Sequence, residues 1–230
     1  MPVKLHLCWP RTNQTRPYPE SMTHAHLSRT SRPLLTLLLG LLPITLPVAE
    51  AARTATSTTA TRTTPATAPA LALQNMPIIY QGYNDCGPAS IGMVLAYYRQ
   101  PVDVKTISAA TKASPNSYMH VEQIGRYVGQ YGLQTTQVKN ANIGAAVRLI
   151  RLGVPVIALT YFQQVGVIPH FRVVRGFDQN RQLLYLADPL AGSVAMRYAD
   201  FNMLWNTQGK QMVAVYPPGL HQKVQAAIRG

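Results

Sequence analysis

The sequence predicts an α+β fold for a single domain of about 145 residues, a usual size for one core. Three observations predict it. Helix-period apolar patterns crowd the first half of that stretch and strand-like runs crowd the second, with Asp178-Gln179-Asn180-Arg181 placed as a hairpin turn between two of the runs. Such segregation argues for helices packed on a C-terminal antiparallel sheet, not for alternating βα units. Apolar residues make up 47% of the 230 and charged ones 13%, which excludes a wholly disordered chain.

The elements follow in order. Met76 to Tyr80 reads as a short strand. Pro88 to Arg99 reads as a helix, with Ile91, Val94, Leu95 and Tyr98 at helical spacing. Val104 to Thr111 is a second, shorter helix. Val121 to Tyr131 is a third, closed by Gly132 as a C-terminal cap. Leu133 to Val138 is a strand, and Ile143 to Leu152 a helix ended by Gly153. Strand-like runs then cover Val154 to Thr160, Phe171 to Phe177, Gln182 to Ala187 and Gln211 to Tyr216, with a short helix, Ala199 to Asn206, before the last. Tyr97, Tyr98, Tyr127 and Tyr131 recur at helical spacing and read as packing residues.

The folded unit is bounded at residues 73–217, with a polar tail over 218–230. Residues 52–72 are rich in Thr, Ala and Pro with no apolar period, and read as a linker. Before it, Leu34 to Val48 is an apolar run of 15 residues, preceded by Arg29 and Arg32 and followed by Ala49-Glu50-Ala51. A basic segment, a short apolar core and an A-x-A site describe a secretory signal peptide over residues 1–51, with Met22 as an alternative start. The run falls short of the roughly 18 residues a membrane span needs, and Pro43 and Pro47 interrupt it. No transmembrane span is therefore expected after cleavage. The expected location is outside the cytoplasm of a bacterium: secreted, periplasmic or in the cell envelope.

Two cysteines, Cys8 and Cys86, exclude a disulfide-stapled scaffold and a multi-cysteine metal centre. Cleavage after Ala51 removes Cys8 and leaves one thiol in an oxidising compartment, which marks Cys86 as reactive or intermolecularly paired. Gly87 and Pro88 follow it, and Pro fits the first turn of a helix because its missing N–H costs nothing there. Cys86 thus stands at a helix N-terminus, where free amides and the macrodipole favour an anion. Such a perch beside a cationic histidine lowers a thiol pKa and predicts a mainly ionised sulfur. A purely structural cysteine has nearly equal weight on this feature alone.

A nucleophilic thiol needs a base. Three histidines remain after residue 51. His221 lies in the polar tail and His120 precedes a helix, so His170, opening a strand, is the candidate. Phe171, Val173 and Phe177 alternate from it towards the core, while Arg172 and Arg175 read as facing solvent or an acidic substrate. A base needs an acceptor to fix its tautomer. Across the hairpin, Asp188 falls opposite His170 to within a residue, about 5 Å between Cα atoms. The alternative is that Asp188-Pro189 only starts a turn. Gln81, five residues before the thiol, is a candidate oxyanion donor together with the Cys86 amide.

Together these pieces resemble the bacteriocin-processing, double-glycine-leader cysteine peptidases and their secreted relatives, a papain-like family. The resemblance rests on Gln81, Asp85-Cys86-Gly87-Pro88-Ala89, Tyr97-Tyr98, Gly132-Leu133, Gly153-Val154-Pro155-Val156, the strand His170 to Phe177, and Ala187-Asp188-Pro189. It implies a papain-like fold with Cys86 as nucleophile, His170 as base, Asp188 as its orienter and Gln81 as oxyanion donor. The implied activity is peptide-bond hydrolysis on a peptide or protein substrate, with no cofactor and no metal. Two alternatives from other classes are a catalytically silent peptide-binding module and an envelope amidase or acyltransferase.

Charge separates a last class. Lys and Arg number 21 against 8 Asp and Glu, a formal net charge of +13. The basic residues are scattered, with no stripe interleaved with aromatics, so specific nucleic-acid binding is not expected. Loose contact with anionic envelope polymers is.

Overall fold

The computed structural model describes residues 68–206 and 208–230. The proposed signal peptide, Cys8, Met22 and most of the Thr/Ala/Pro segment lie outside the described residues. Among the described residues, seven strands form one antiparallel sheet and six helices flank it. The strands are β1 (Ala70–Ala72), β2 (Gln134–Val138), β3 (Val156–Tyr161), β4 (Pro169–Asp178), β5 (Leu183–Asp188), β6 (Gly192–Arg197) and β7 (Met212–Tyr216). The helices are α1 (Cys86–Tyr97), α2 (Val104–Thr111), α3 (Glu122–Val128), α4 (Ile143–Arg151), α5 (Tyr198–Asn206) and α6 (His221–Arg229). The sheet order is β2-β7-β3-β4-β5-β6, with β1 on β4.

The period of two along the central strands gives the sheet two buried faces. Ile157, Val173, Val213 and Val215 point to one side, where they meet Ile91 and Leu95 of α1, Ile107 of α2 and Ile124 of α3. Val156, Val174, Met212 and Ala214 point to the other, against Leu149 and Ile150 of α4, Trp205 of α5 and Val224 of α6. The helices divide between the two faces: α1, α2 and α3 cover the first, and α4, α5 and the residues after 217 cover the second.

Residues 218–230 are therefore not a loose polar tail. They form a single 3₁₀ turn and then α6, whose Val224 and Ala227 are buried at a helical spacing of three. Arg148 Nε donates to Ala227 O at 2.7 Å and satisfies a carbonyl in the last turn of α6. His221 sits at the start of that helix with Nδ1 3.1 Å from the Tyr216 hydroxyl.

Three further differences have physical causes. Met76 to Tyr80 joins no ladder, and Pro77 in its midst has no N–H to give one. The first strand is instead Ala70–Ala72, inside the stretch read as linker. β6 was not expected from its sequence, Gly-Ser-Val-Ala-Met-Arg, whose residues alternate between buried or half-buried and exposed as an edge strand's do. In β4 the register shifts between Val174 and Gly176, so Arg175 is the extra residue of a bulge. One inserted residue inverts the facing downstream. Phe177 consequently lies in the α4–α6 core, apart from Phe171 and Val173.

β3 pairs with β4 up to Val174, and β1 continues along the same edge, pairing Ala72 with Gly176. That continuation requires glycine. A Cβ at Gly176 would stand 2.7 Å from Leu71 O and 2.9 Å from Ala72 Cα, both backbone atoms. Gly176→Ala is expected to push β1 off the sheet and to destabilise the domain by about 1–3 kcal/mol, the usual cost of overpacking. A urea midpoint unchanged from wild type, with the Leu71 to Ala72 amides still protected from hydrogen exchange, would contradict this.

Candidate active site

Cys86 is the first residue of α1, as its neighbours Gly87 and Pro88 required. Its N-cap, Asp85, does not cap with its side chain. The Asp85 carboxylate turns away, accepting from Ser108 Oγ at 2.6 Å and from Lys112 Nζ at 2.7 Å. The Lys112 ammonium also donates to Pro115 O and Tyr83 O, and is almost fully buried. This clasp joins the loop before α1 to the end of α2 and to the 113–117 loop. It leaves the amides of the first α1 turn for the sulfur: the Cys86 and Gly87 N–H groups and the Phe171 N–H all favour the thiolate.

Burial wins against them. Cys86 is 6% exposed, and desolvation pushes its thiol above the ordinary 9.0, with the Asp188 carboxylate adding to the rise. Met119, in the same core cluster, packs against Gly87 so closely that a Cβ there would clash with its Cε and Sδ. Burial therefore opposes the ionised thiol expected from the helix N-terminus. Helix amides stabilise the anion by less than the loss of water destabilises it.

His170 is the second residue of β4 and is 1% exposed. Its Nε2 lies 2.9 Å from Asp188 Oδ1, the last residue of β5 and equally buried. The contact is diagonal, because the strands turn through residues 179–182, one residue later than expected, and the bulge at Arg175 restores only part of the resulting offset. Val173 pairs with Ala187, which sets Asp188 opposite Arg172. The turn reading of Asp188-Pro189 holds as well: Oδ1 also accepts from the amides of Leu190 at 2.8 Å and Ala191 at 3.0 Å.

The three charges settle as follows. Burial pushes His170 below its ordinary 6.5, the Asp188 hydrogen bond and charge oppose this, and Arg172 adds to the fall. Burial would raise Asp188, but His170, Arg172 and the Ala191 amide outweigh it and hold the carboxyl below its ordinary range. At neutral pH the site thus holds a thiol, a neutral imidazole and a carboxylate. With Nε2 committed to Asp188, Nδ1 is the nitrogen left to serve a thiol.

Gln81 reaches the site by its backbone, its N–H donating to Pro189 O at 3.0 Å, one residue past Asp188. Its side-chain Nε2 is turned onto Gly82 O at 3.2 Å, and its Oε1 is buried without a partner. Arg172, read as solvent-facing, is 1% exposed beside Asp188. The signal for it was available: residues 170 and 172 share a strand face. Arg175, by contrast, bonds Ser193 Oγ at an exposed position. Among the described residues no three His, Cys, Asp or Glu converge on a metal site, and no helix is long and apolar enough to cross a membrane.

The model of the Peptidase_C39 like family matches residues 73–213. No curated protein matches the chain. Among solved structures, the peptidase domain of Streptococcus ComA, a bi-functional ABC transporter involved in a quorum sensing pathway, is 19% identical with a TM-score of 0.53, covering 62% of this chain and 98% of that one. A C39-like peptidase from Bacillus anthracis is 17% identical with a TM-score of 0.51, covering 64% and 96%. At these identities the likeness is one of fold.

Proposed function

The chain belongs to the Peptidase_C39 like family, and on that premise we propose that it is a cysteine peptidase acting outside the cytoplasm on a peptide or protein substrate. The observation that carries the reading is the buried His170 Nε2–Asp188 Oδ1 contact at 2.9 Å, one residue before Phe171, whose N–H favours a thiolate at Cys86. A base with a fixed tautomer and a thiol at a helix N-terminus are what nucleophilic acyl transfer needs.

Because thiol and imidazole are both neutral at rest, His170 acts as a true general base. Nδ1 takes the thiol proton as sulfur attacks the scissile carbonyl. The Cys86 backbone N–H receives the oxyanion, joined by Gln81 Nε2 once it leaves Gly82 O. Asp188 stabilises the imidazolium. That imidazolium protonates the leaving amine, the C–N bond breaks, and a thioester remains. Water, deprotonated by the same nitrogen, then hydrolyses the thioester and regenerates the thiol. No metal or cofactor enters. The proposed export signal places this chemistry in the envelope or medium, where the basic surface makes loose contact with anionic polymers.

One observation favours a second reading. A nucleophile residue only 6% exposed also suits a peptide-binding module that does not turn over. The full chain, treated with an electrophilic peptide probe and peptide-mapped by mass spectrometry, separates them. We expect adduct at Cys86 in wild type and none in Cys86→Ala or His170→Ala. Adduct formation that ignores His170 would remove the dyad, and absence of adduct in wild type would favour the silent module.

A further inference from the structure

Arg172 carries a guanidinium that no step of this chemistry uses, although burying a cation is costly unless other groups meet it. Its Nη2 donates to Tyr161 O at 3.2 Å and Phe162 O at 2.9 Å. Its Nη1 lies 3.9 Å from Met196 Sδ on β6. Its Nε stands 3.4 Å from Asp188 Oδ2, and neither of those two buried atoms has a hydrogen-bond partner. They face each other as opposite charges and nothing else claims them. The residue that Arg172 grips at the end of β3, Phe162, sets its ring edge-on to the His170 imidazole, centroids 5.0 Å apart and planes at 66°. The guanidinium itself lies 5.9 Å from that ring.

We propose that Arg172 is a positioning residue for His170, fixing the imidazole between the Asp188 carboxylate on one edge and the Phe162 ring on the other side. The inference rests on reading Cys86 and His170 as the reacting pair. Two consequences follow from the geometry. The carboxylate is held at Nε2 by a charge behind it as well as by the Leu190 and Ala191 amides in front. The second consequence is electrostatic. Asp188 from β5 makes the imidazole more basic, and Arg172 on its own strand makes it less so. Cys86 from α1 is neutral at rest, and Phe162 carries no charge. The imidazole is thereby kept unprotonated and oriented, ready to receive the thiol proton and acidic enough afterwards to give it to the leaving amine.

The test uses the full chain with labelled histidines, the His170 resonances being identified by their loss in His170→Ala. For Arg172→Met we expect the imidazole to bind protons about tenfold more tightly, the effect of removing one nearby charge. We also expect the slowly exchanging Nε2–H resonance to broaden away, and the rate of Cys86 adduct formation with the peptide probe to fall about tenfold or more. Arg172→Lys, which keeps the charge, should restore the titration to within twofold. An imidazole that titrates unchanged in Arg172→Met, or Arg172→Lys displaced as far as Arg172→Met, overturns the proposal. If Arg172→Met does not fold, Arg172→Gln takes its place: Lys tracking wild type supports the role, and Lys tracking Gln overturns it. Adduct at Cys86 that survives His170→Ala would sink the peptidase reading instead, while the titration still reports on Arg172.

Discussion

Asp188→Ala is expected to be the most damaging single substitution in the domain. The carboxylate is 1% exposed and neutralises the Arg172 guanidinium, also 1% exposed, while accepting from His170 and two backbone amides. Removing one member of a buried pair leaves the other charge without water or partner, at a cost of about 3–5 kcal/mol. Domains of this size have total stabilities of about 5–15 kcal/mol, so the variant should be marginal at best. Asp188→Asn separates folding from function. It preserves an oxygen for His170 Nε2–H, and its shape, so we expect a smaller stability loss. The imidazolium loses its counter-charge beside a retained Arg172, and turnover of any substrate should fall by about 10²–10⁴-fold. Urea midpoints and the adduct rate at Cys86 check both. An Asp188→Ala midpoint equal to wild type would mean that the buried pair holds nothing together.

The contact between His170 and Asp188 was legible in the sequence for a partly wrong reason. Reflection about Asp178–Arg181 placed the two side chains at one end of a hairpin, and they are there. The reflection was centred one residue early, since the strands end at Asp178 and Leu183, and the bulge at Arg175 recovers only part of that offset. What survived was reach, since a histidine and an aspartate touch across a diagonal as readily as straight across. The bulge itself had no local marker beyond Gly176, whose need for glycine arises from a strand about a hundred residues earlier. α6 was missed for a different reason. Its polar residues dominate the composition, and only the spacing of Val224, Ala227 and Ile228 marks an apolar face. α1 shows the reverse: every residue from Cys86 to Leu95 is buried, so its register on the sheet is set by packing on all sides, not by one apolar stripe.

The burial of the sulfur was the part least legible in the sequence, and it governs the second large effect, that of pH. Gly87-Pro88 announces the helix amides that favour a thiolate, but the core cluster that buries Cys86 includes Met119 and Phe171, 33 and 85 positions away. His170 sits below its ordinary 6.5 and Cys86 above its ordinary 9.0, both chiefly through burial. Stability rises with pH wherever the unfolded chain binds more protons, by up to about 1.4 kcal/mol per unit for each group. Below 6.5 the unfolded histidine is protonated while the folded one resists, so stability falls as the solution is acidified. Asp188, held below its ordinary 3.8, adds a second loss beneath that value. Above 9.0 the unfolded thiol ionises while the folded one does not, so stability falls again, and half-buried Tyr98 joins only above 10.0. A plateau between pH 6.5 and 9.0 in urea midpoints is the expected result, with Cys86→Ala losing the decline between 9.0 and 10.0. Reactivity should mirror it: iodoacetamide labels Cys86 slowly at pH 7 and faster only in alkali, and adduct formation with the peptide probe climbs as His170 loses its proton below 6.5. An ion pair at rest predicts the opposite, a thiolate that alkylates rapidly at pH 5 and an alkaline limb set by the imidazolium. Fast labelling of Cys86 in acid would therefore show that the thiolate, not the buried thiol, is the ground state of the site.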